Sequence, residues 1–305
     1  MEQRRATRPL TWILIGLAVF VVFVGSIFTL VYFAFRNGED FEYTRTGMGE
    51  KIAVVDLEGV ILSPEDTVRA LKKFADDRSI KAIILHINTP GGGAAASEEI
   101  YREVKRIRDE KKKMIVASVE TVGASGGYYV ASATNKIYAN QASVVGSIGV
   151  IAEWFNYGEL MQWAKLKPII LKAGQFKDAG SGTRDLTPAE REYMQALIND
   201  MHQQFIRAVA EGRNAKEEDI KAIADGKVWT GQQALGLKLV DSIGDFQTAV
   251  RETAKAVGIE GEPSLVKAEK RRRSLFDIFF SDASELVPDP TKMMETHVGF
   301  YYLWK

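Results

Sequence analysis

The chain has 305 residues, 46% of them hydrophobic and 26% charged, with 40 basic side chains against 40 acidic ones. That is enough apolar material for a large core without staples, and the zero net charge excludes a global attraction to nucleic acid. Cysteine is absent, which excludes disulfides, thiolate zinc sites and iron–sulfur clusters.

Taken in chain order, the first feature is Leu10–Phe35, 26 residues without a charge. An α-helix crosses the hydrocarbon core with roughly 20 apolar residues, and the h-region of a signal peptide is shorter. The run therefore reads as an uncleaved transmembrane helix behind a short cytoplasmic N-terminus, residues 1–9. Arg4, Arg5 and Arg8 precede it, whereas Arg36 is offset by Glu39, Asp40 and Glu42. Positive flanks stay inside, so the bulk of the chain is expected outside. Residues 36–50, with Gly38, Gly47 and Gly49, read as a polar linker.

Strands are expected at Lys51–Leu57, Ile80–Ile87 and Met114–Val119. The second is almost wholly apolar, as in a parallel strand buried on both faces. Helices are expected over Pro64–Asp77, Ala95–Lys112 and Gly126–Ala133, with Val68, Leu71 and Phe74 marking the buried face of the first. Short strands follow at Lys136–Tyr138, Ser147–Ile151 and Lys167–Leu171. Thr187, Pro188 and Glu190 form a helix start with a capping box, and that helix runs to about Gly212. Shorter helices are expected at 216–225 and 245–258. Alternating strands and helices predict one α/β domain with mostly parallel pairing over residues 51–260. Residues 261–305 read as a C-terminal tail, basic at Lys267–Arg273 and aromatic at its end. That tail is either partly disordered or docks on a neighbouring subunit, the membrane surface or the substrate groove.

Four positions carry candidate chemistry. Ser125 lies in Gly123-Ala124-Ser125-Gly126-Gly127, after a buried strand and at a helix start. A serine there is either a nucleophile or a helix cap. Asn88–Gly93 follows another buried strand. Its glycines either free N–H groups for an oxyanion or make an ordinary turn, and Gly-x-x-x-x-Gly-Lys-Ser/Thr is absent. Lys177 serves as a base if burial strips its proton, and is otherwise a solvated lysine whose neighbour Asp178 opposes that role. Ser147, between Gly146 and Ile148-Gly149, is a hydrogen-bond partner for a lysine amine or a plain turn residue.

Together these elements resemble the S49 serine peptidases, the signal peptide peptidase A family, over roughly residues 50–258. The resemblance rests on Asn88–Gly93, Gly123–Gly127, Gly146–Gly149 and Lys177 with Ser181, Arg184 and Pro188. Gly182 departs from it, standing where family members often carry proline. The resemblance implies a ClpP/crotonase-like fold, Ser125 as nucleophile, Lys177 as general base and Ser147 orienting the lysine. It further implies an oxyanion hole from the N–H groups of Gly92 and Ser125. No metal or other cofactor is implied. The substrates implied are cleaved signal peptides and other apolar peptides. The chain resembles the half-length members, in which Lys177 reaches Ser125 of a neighbouring subunit in a ring-shaped homo-oligomer. The location implied is the bacterial cytoplasmic membrane, with the catalytic domain on its outer face against the lipid bilayer.

Three rivals share parts of the pattern. Gly123–Gly127 also fits the nucleophile elbow of an α/β-hydrolase esterase, for which His202 and His297 are the candidate histidines. A crotonase-type acyl-CoA enzyme shares the fold class but needs no serine there. A non-catalytic membrane scaffold needs neither.

Overall fold

The computed structural model describes residues 41–270 and 299–304, together with Gly25. The transmembrane helix expected at Leu10–Phe35, the basic run Arg271–Arg273 and His297 lie outside the described residues. Among the described residues, no helix is long and apolar enough to cross a membrane. Tyr43–Ala268 and the C-terminal residues belong to one compact unit, which concerns us below; Phe41, Glu42, Glu269 and Lys270 group with a separate one.

The central strands explain the architecture. In chain order the first elements are β1 (Phe41–Thr46), β2 (Lys51–Glu58), α1 (Glu65–Asp76), β3 (Ile80–Thr89), β4 (Gly91–Gly93), α2 (Ala94–Asp109), β5 (Met114–Ala124) and α3 (Gly126–Ser132). There follow β6 (Lys136–Ala139), β7 (Val144–Gly146), β8 (Ile151–Glu153), α4 (Gly158–Trp163), α5 (Pro188–Gly212), α6 (Glu217–Lys221), β9 (Val228–Thr230), α7 (Gly231–Gly236), β10 (Ser242–Ile243), α8 (Phe246–Ala256), β11 (Ser264–Lys270) and β12 (Gly299–Leu303). Side chains of a strand alternate between its faces. In β3, Ile83, Leu85 and Ile87 join one apolar cluster with Leu71, Ile100, Val130 and Phe205 from α1, α2, α3 and α5. Ala82 and Ile84, on the opposite face, pack with Val250 and Ala254 of α8. A strand covered on both faces must be apolar throughout, which is why β3 reads as an unbroken run.

The main sheet has nine strands in the order β1-β11-β2-β3-β5-β6-β10, with β7 beside β5 and β9 beside β7. From β11 to β10 every pair is parallel, and β7 with β9 is antiparallel. This is the mixed α/β architecture with a mostly parallel sheet that the alternation of elements predicts. A second, three-stranded antiparallel sheet has the order β4-β12-β8.

The differences from expectation have physical causes. Residues 41–46 of the expected linker form a strand, and the sheet continues past residue 260 into β11, whose Leu265 and Val266 pair with Ile52 and Ala53. Of the strand expected at Ser147–Ile151 only Ile151 lies in one, β8, because β7 ends at Gly146 and Ser147 turns the chain with φ at +52°. Lys167–Leu171 is not a strand: its apolar side chains are exposed, Leu171 to 96%, and among the described residues no edge pairs with it. The helix expected over 216–225 is the single short turn α6.

The long helix α5 starts as expected. Thr187 caps it, accepting from the Glu190 N–H at 3.2 Å, while Glu190 Oε2 accepts from the Thr187 N–H at 2.9 Å. Its last residue, Gly212, backs onto α3, where an added Cβ would lie 2.0 Å from the Ser132 carbonyl oxygen. Gly212→Ala is therefore expected to destabilise the fold by about 1–3 kcal/mol through overpacking, read as a lower urea midpoint at unchanged slope.

Candidate active site

Three parallel strands deliver the site. Thr89 at the end of β3 is in register with Gly123 of β5, and Ala124 of β5 is in register with Gly146 of β7. The turns that follow, Pro90–Gly93, Ser125–Gly127 and Ser147–Gly149, therefore emerge side by side at the carboxyl ends of the strands. In open α/β sheets that edge is where ligands bind.

The residues before each glycine turn brace it. The Asn88 side-chain oxygen accepts from the Val122 N–H of β5 at 3.3 Å, and Thr89 Oγ1 accepts from the Gly91 N–H at 3.0 Å. Gly91 has φ at +98°, a region open to glycine. On one side, the Gly91 carbonyl and the Gly93 N–H are spent on the backbone of Ile61, at 2.9 and 2.8 Å. Backbone groups of a strand alternate in direction, so the Gly92 N–H and carbonyl face the other side, toward β12.

Ser125 is 1% exposed and has φ +51° and ψ −117°. Such a conformation costs about 1–3 kcal/mol in a non-glycine residue and persists only where the surroundings impose it. Its side chain makes no capping hydrogen bond to α3, so the helix-cap alternative fails. Its N–H donates to the Gly146 carbonyl at 2.7 Å. This corrects one expectation: the Ser125 N–H is engaged and is not free to meet an oxyanion. The next N–H, that of Gly126, opens α3 and has no carbonyl four residues back within the helix. A Cβ on Gly126 would lie 3.2 Å from the Gly92 nitrogen and 3.1 Å from the Tyr302 carbonyl oxygen. One on Gly91 would lie 2.6 Å from the Gly126 nitrogen and 2.0 Å from that same oxygen. The nitrogens of Gly92 and Gly126 and the Tyr302 carbonyl oxygen thus share one small space around Gly91.

That carbonyl belongs to β12, the aromatic C-terminal segment. Tyr302 is in register with Gly92 of β4, while Phe300 is in register with Ala152 of β8, both antiparallel. The Tyr302 ring is buried, stacked on Tyr129 at 5.2 Å and tilted against Phe205 at 4.8 Å, and its hydroxyl donates to the Met201 carbonyl at 3.1 Å. Burial pushes the phenols of Tyr129 and Tyr302 up. Of the three docking places open to the tail, the structure shows a cleft of the chain itself, beside Ser125. The exact partners, Tyr302 and Gly126, were not singled out in the sequence; the aromatic run Gly299–Trp304 was the only signal.

Ser147 is buried, and its N–H donates to the Lys227 carbonyl at 2.7 Å. Gly92, Ser125 and Ser147 are therefore brought together, whereas Lys177 is not. It is exposed, in the irregular stretch between α4 and α5, and among the described residues its ammonium has no hydrogen bond or ion pair. Asp178, which threatened to hold Lys177 protonated, is engaged elsewhere: it pairs with Lys172 and, at 2.9 Å, with Arg184. Those two cations, Lys172 first, hold its carboxyl below the ordinary range. Arg184 also grips Glu190 through both nitrogens, at 2.8 and 2.6 Å. The lysine-bearing loop is thus tied to the start of α5 by Asp178, Arg184 and Glu190. Gly182 is fixed too: its carbonyl accepts from the Tyr157 N–H at 2.7 Å, and a Cβ there would lie 2.5 Å from the Phe155 carbonyl oxygen. The departure from proline at this position follows from that close approach. The same stretch exposes Phe155, Trp163, Ile169 and Leu171, an apolar surface beside Lys177 in sequence.

His202, the esterase candidate, lines one cavity with Ser147, and its Nε2 is buried without a hydrogen-bond partner. Among the described residues no carboxylate bonds to it, as a catalytic imidazole requires.

The sequence profile of peptidase family S49 matches residues 107–260. A putative protease of Synechocystis sp. is 37% identical over 217 residues, covering 71% of this chain and 78% of that protein. A putative protease of Methanocaldococcus jannaschii is 33% identical over 213 residues, covering 70% and 68%. A putative signal peptide peptidase of Enterococcus faecium is 34% identical over 188 residues, covering 61% and 54%.

The Glu190 carboxyl is drawn from its ordinary value near 4.5 down to about 2, chiefly by Arg184 and then by the Thr187 N–H. A depressed carboxyl stabilises fully above its unfolded value and loses that contribution as pH falls through the folded one. Between pH 4.5 and 2 the thermal midpoint of wild type is therefore expected to fall more steeply than that of Glu190→Gln, in scans at matched ionic strength.

Proposed function

The chain belongs to peptidase family S49 and is a serine peptidase; from that premise we propose a membrane-anchored endopeptidase with a Ser125/Lys177 dyad that degrades cleaved signal peptides and other apolar peptides. The observation that carries the substrate class is β12: an extended apolar segment already lies across β4 and β8, with its Tyr302 carbonyl at the nitrogens of Gly92 and Gly126. Extended peptides bind sheet edges in this manner, main chain giving affinity and alternate side chains giving selectivity. The Tyr129–Phe205 pocket that takes Tyr302 makes a large aromatic or apolar residue the preferred one at the cut.

In the proposed reaction the neutral Lys177 amine takes the Ser125 proton. The alkoxide attacks the substrate carbonyl, whose oxyanion meets the N–H groups of Gly92 and Gly126. Lys177, now charged, gives its proton to the departing amine. The same amine then activates the water that releases the acyl group, while Ser147 holds it in line. The fold reading is ClpP/crotonase-like, and the domain limits are an anchor at residues 10–35 ahead of a peptidase domain from residue 51.

The lysine comes from a neighbouring subunit in a ring-shaped homo-oligomer on this reading. Its support is the exposure of Lys177 within one chain, together with the uncovered apolar side chains of Phe155, Trp163, Ile169 and Leu171. The catalytic domain faces outward at the bacterial cytoplasmic membrane, because the arginines lie before the apolar run and acids after it.

Ser125→Ala and Lys177→Ala are each expected to abolish peptide cleavage. Mixing the two inactive proteins during assembly is expected to restore part of it, because some interfaces then join an intact Ser125 to an intact Lys177. Persistent inactivity of the mixture, with both variants folded and assembled, argues for a dyad within one chain. Since an amine is a base only without its proton, kcat/KM is expected to rise from acidic to alkaline buffer. Activity lost in His202→Ala and kept in Lys177→Ala would establish the esterase reading instead. Truncation after Val298 is expected to raise the initial rate on added peptides by uncovering the cleft.

A further inference from the structure

A cavity of about 690 Å³ opens between α5 and the turn from β7 to β8. It begins at Ser147, and its walls are of two kinds. Ile148, Val150 and Ile198 give it an aliphatic surface, while Asn199, His202 and Asp225 add polar groups. Leu303 and Trp304 stand at it as well. These two residues follow Tyr302, whose carbonyl faces the nitrogens of Gly92 and Gly126, and Trp304 keeps the same course by donating its N–H to the Pro90 carbonyl at 2.8 Å. A peptide running as β12 does therefore delivers to this cavity the residues on the carboxyl side of the bond to be cut.

We propose that this cavity is the subsite for the leaving segment of the substrate, taking an apolar side chain one or two positions beyond the cut and one backbone amide of the same segment. The proposal rests on the peptidase reading. Ile148, Val150 and Ile198 receive the apolar side chain. His202 Nε2, buried and without a partner, receives the backbone group. Nε2 stays without a partner while β12 lies in the cleft, so Leu303 and Trp304 do not satisfy it; a peptide whose backbone continues past the place of Trp304 brings it a partner and is rewarded for its length. His202 acts on the substrate's position and takes no proton from Ser125.

The test uses full-length protein carrying Ser125→Ala, so that nothing is cut, and Tyr302→Asp, so that a charge at the aromatic pocket releases β12. Two dye-labelled peptides share their sequence up to a tyrosine; one ends a single glycine later, the other continues Leu-Trp-Ala-Gly. Fluorescence anisotropy is expected to show the longer peptide binding about tenfold tighter, with the difference much reduced by His202→Ala and abolished by Ile198→Asp. Circular dichroism confirms that each variant is folded, and His202→Asn, which keeps a polar group, is expected to retain part of the gain. Equal affinity for the two peptides, or a full gain surviving both His202→Ala and Ile198→Asp, overturns the subsite. Because binding is read without turnover, a wild type that binds the longer peptide more tightly yet cleaves neither would count against the peptidase reading and leave the subsite supported.

Discussion

The hydrogen bond from the Ser125 N–H to the Gly146 carbonyl, 2.7 Å long, is the constraint on which the site depends. It joins the ends of β5 and β7 at the point where β5 stops being a strand. By fixing Ser125 at positive φ it turns the chain sharply enough to start α3 at the next residue. The strain this stores is supported by the parallel register of β3, β5 and β7, which leaves those strand ends little freedom. The same bond engages the serine's own N–H, which on the proposed reading leaves the donor role to Gly126.

A second constraint is steric. Gly91 and Gly92 are so closely approached by backbone that a Cβ would lie 2.0 and 2.1 Å from a carbonyl oxygen, and a Cβ on Gly126 would lie 2.4 Å from Ser97 Oγ. The absence of side chains lets a peptide main chain reach the two nitrogens, and β12 shows how closely. The lysine is secured by a separate device: Arg184, shared between Asp178 and Glu190, ties its loop to the capped end of α5. The strand ends thus gather Gly92, Ser125 and Ser147, while the ion-paired loop holds Lys177 apart from them within one chain.

Much of this was legible in the sequence. The buried β3, the capping box at Thr187–Glu190 and the glycine turns around Gly92 and Ser125 are local signals, and each formed where local chemistry dictated. What escaped depended on distant partners. Lys167–Leu171 has strand composition but finds no edge among the described residues. β11 and β12 could not be separated from a tail, because the strands they pair with, β2, β4 and β8, lie more than a hundred residues earlier. The engagement of the Ser125 N–H by Gly146 required knowing where that N–H points, which no motif encodes. The grouping of Ser147 with His202 likewise arises only when α5 folds back over the β7–β8 turn.

The central claim is the proposed one, that strand-end geometry makes Ser125 the nucleophile. The most direct measurement is labelling of the assembled wild-type protein with a serine-reactive fluorophosphonate, followed by peptide mapping. The account predicts a single adduct, on Ser125, that is strongly reduced in Lys177→Ala and disappears in Ser125→Ala. Cleavage of peptides by a protein that is labelled elsewhere, or that keeps its activity in Ser125→Ala, would contradict it.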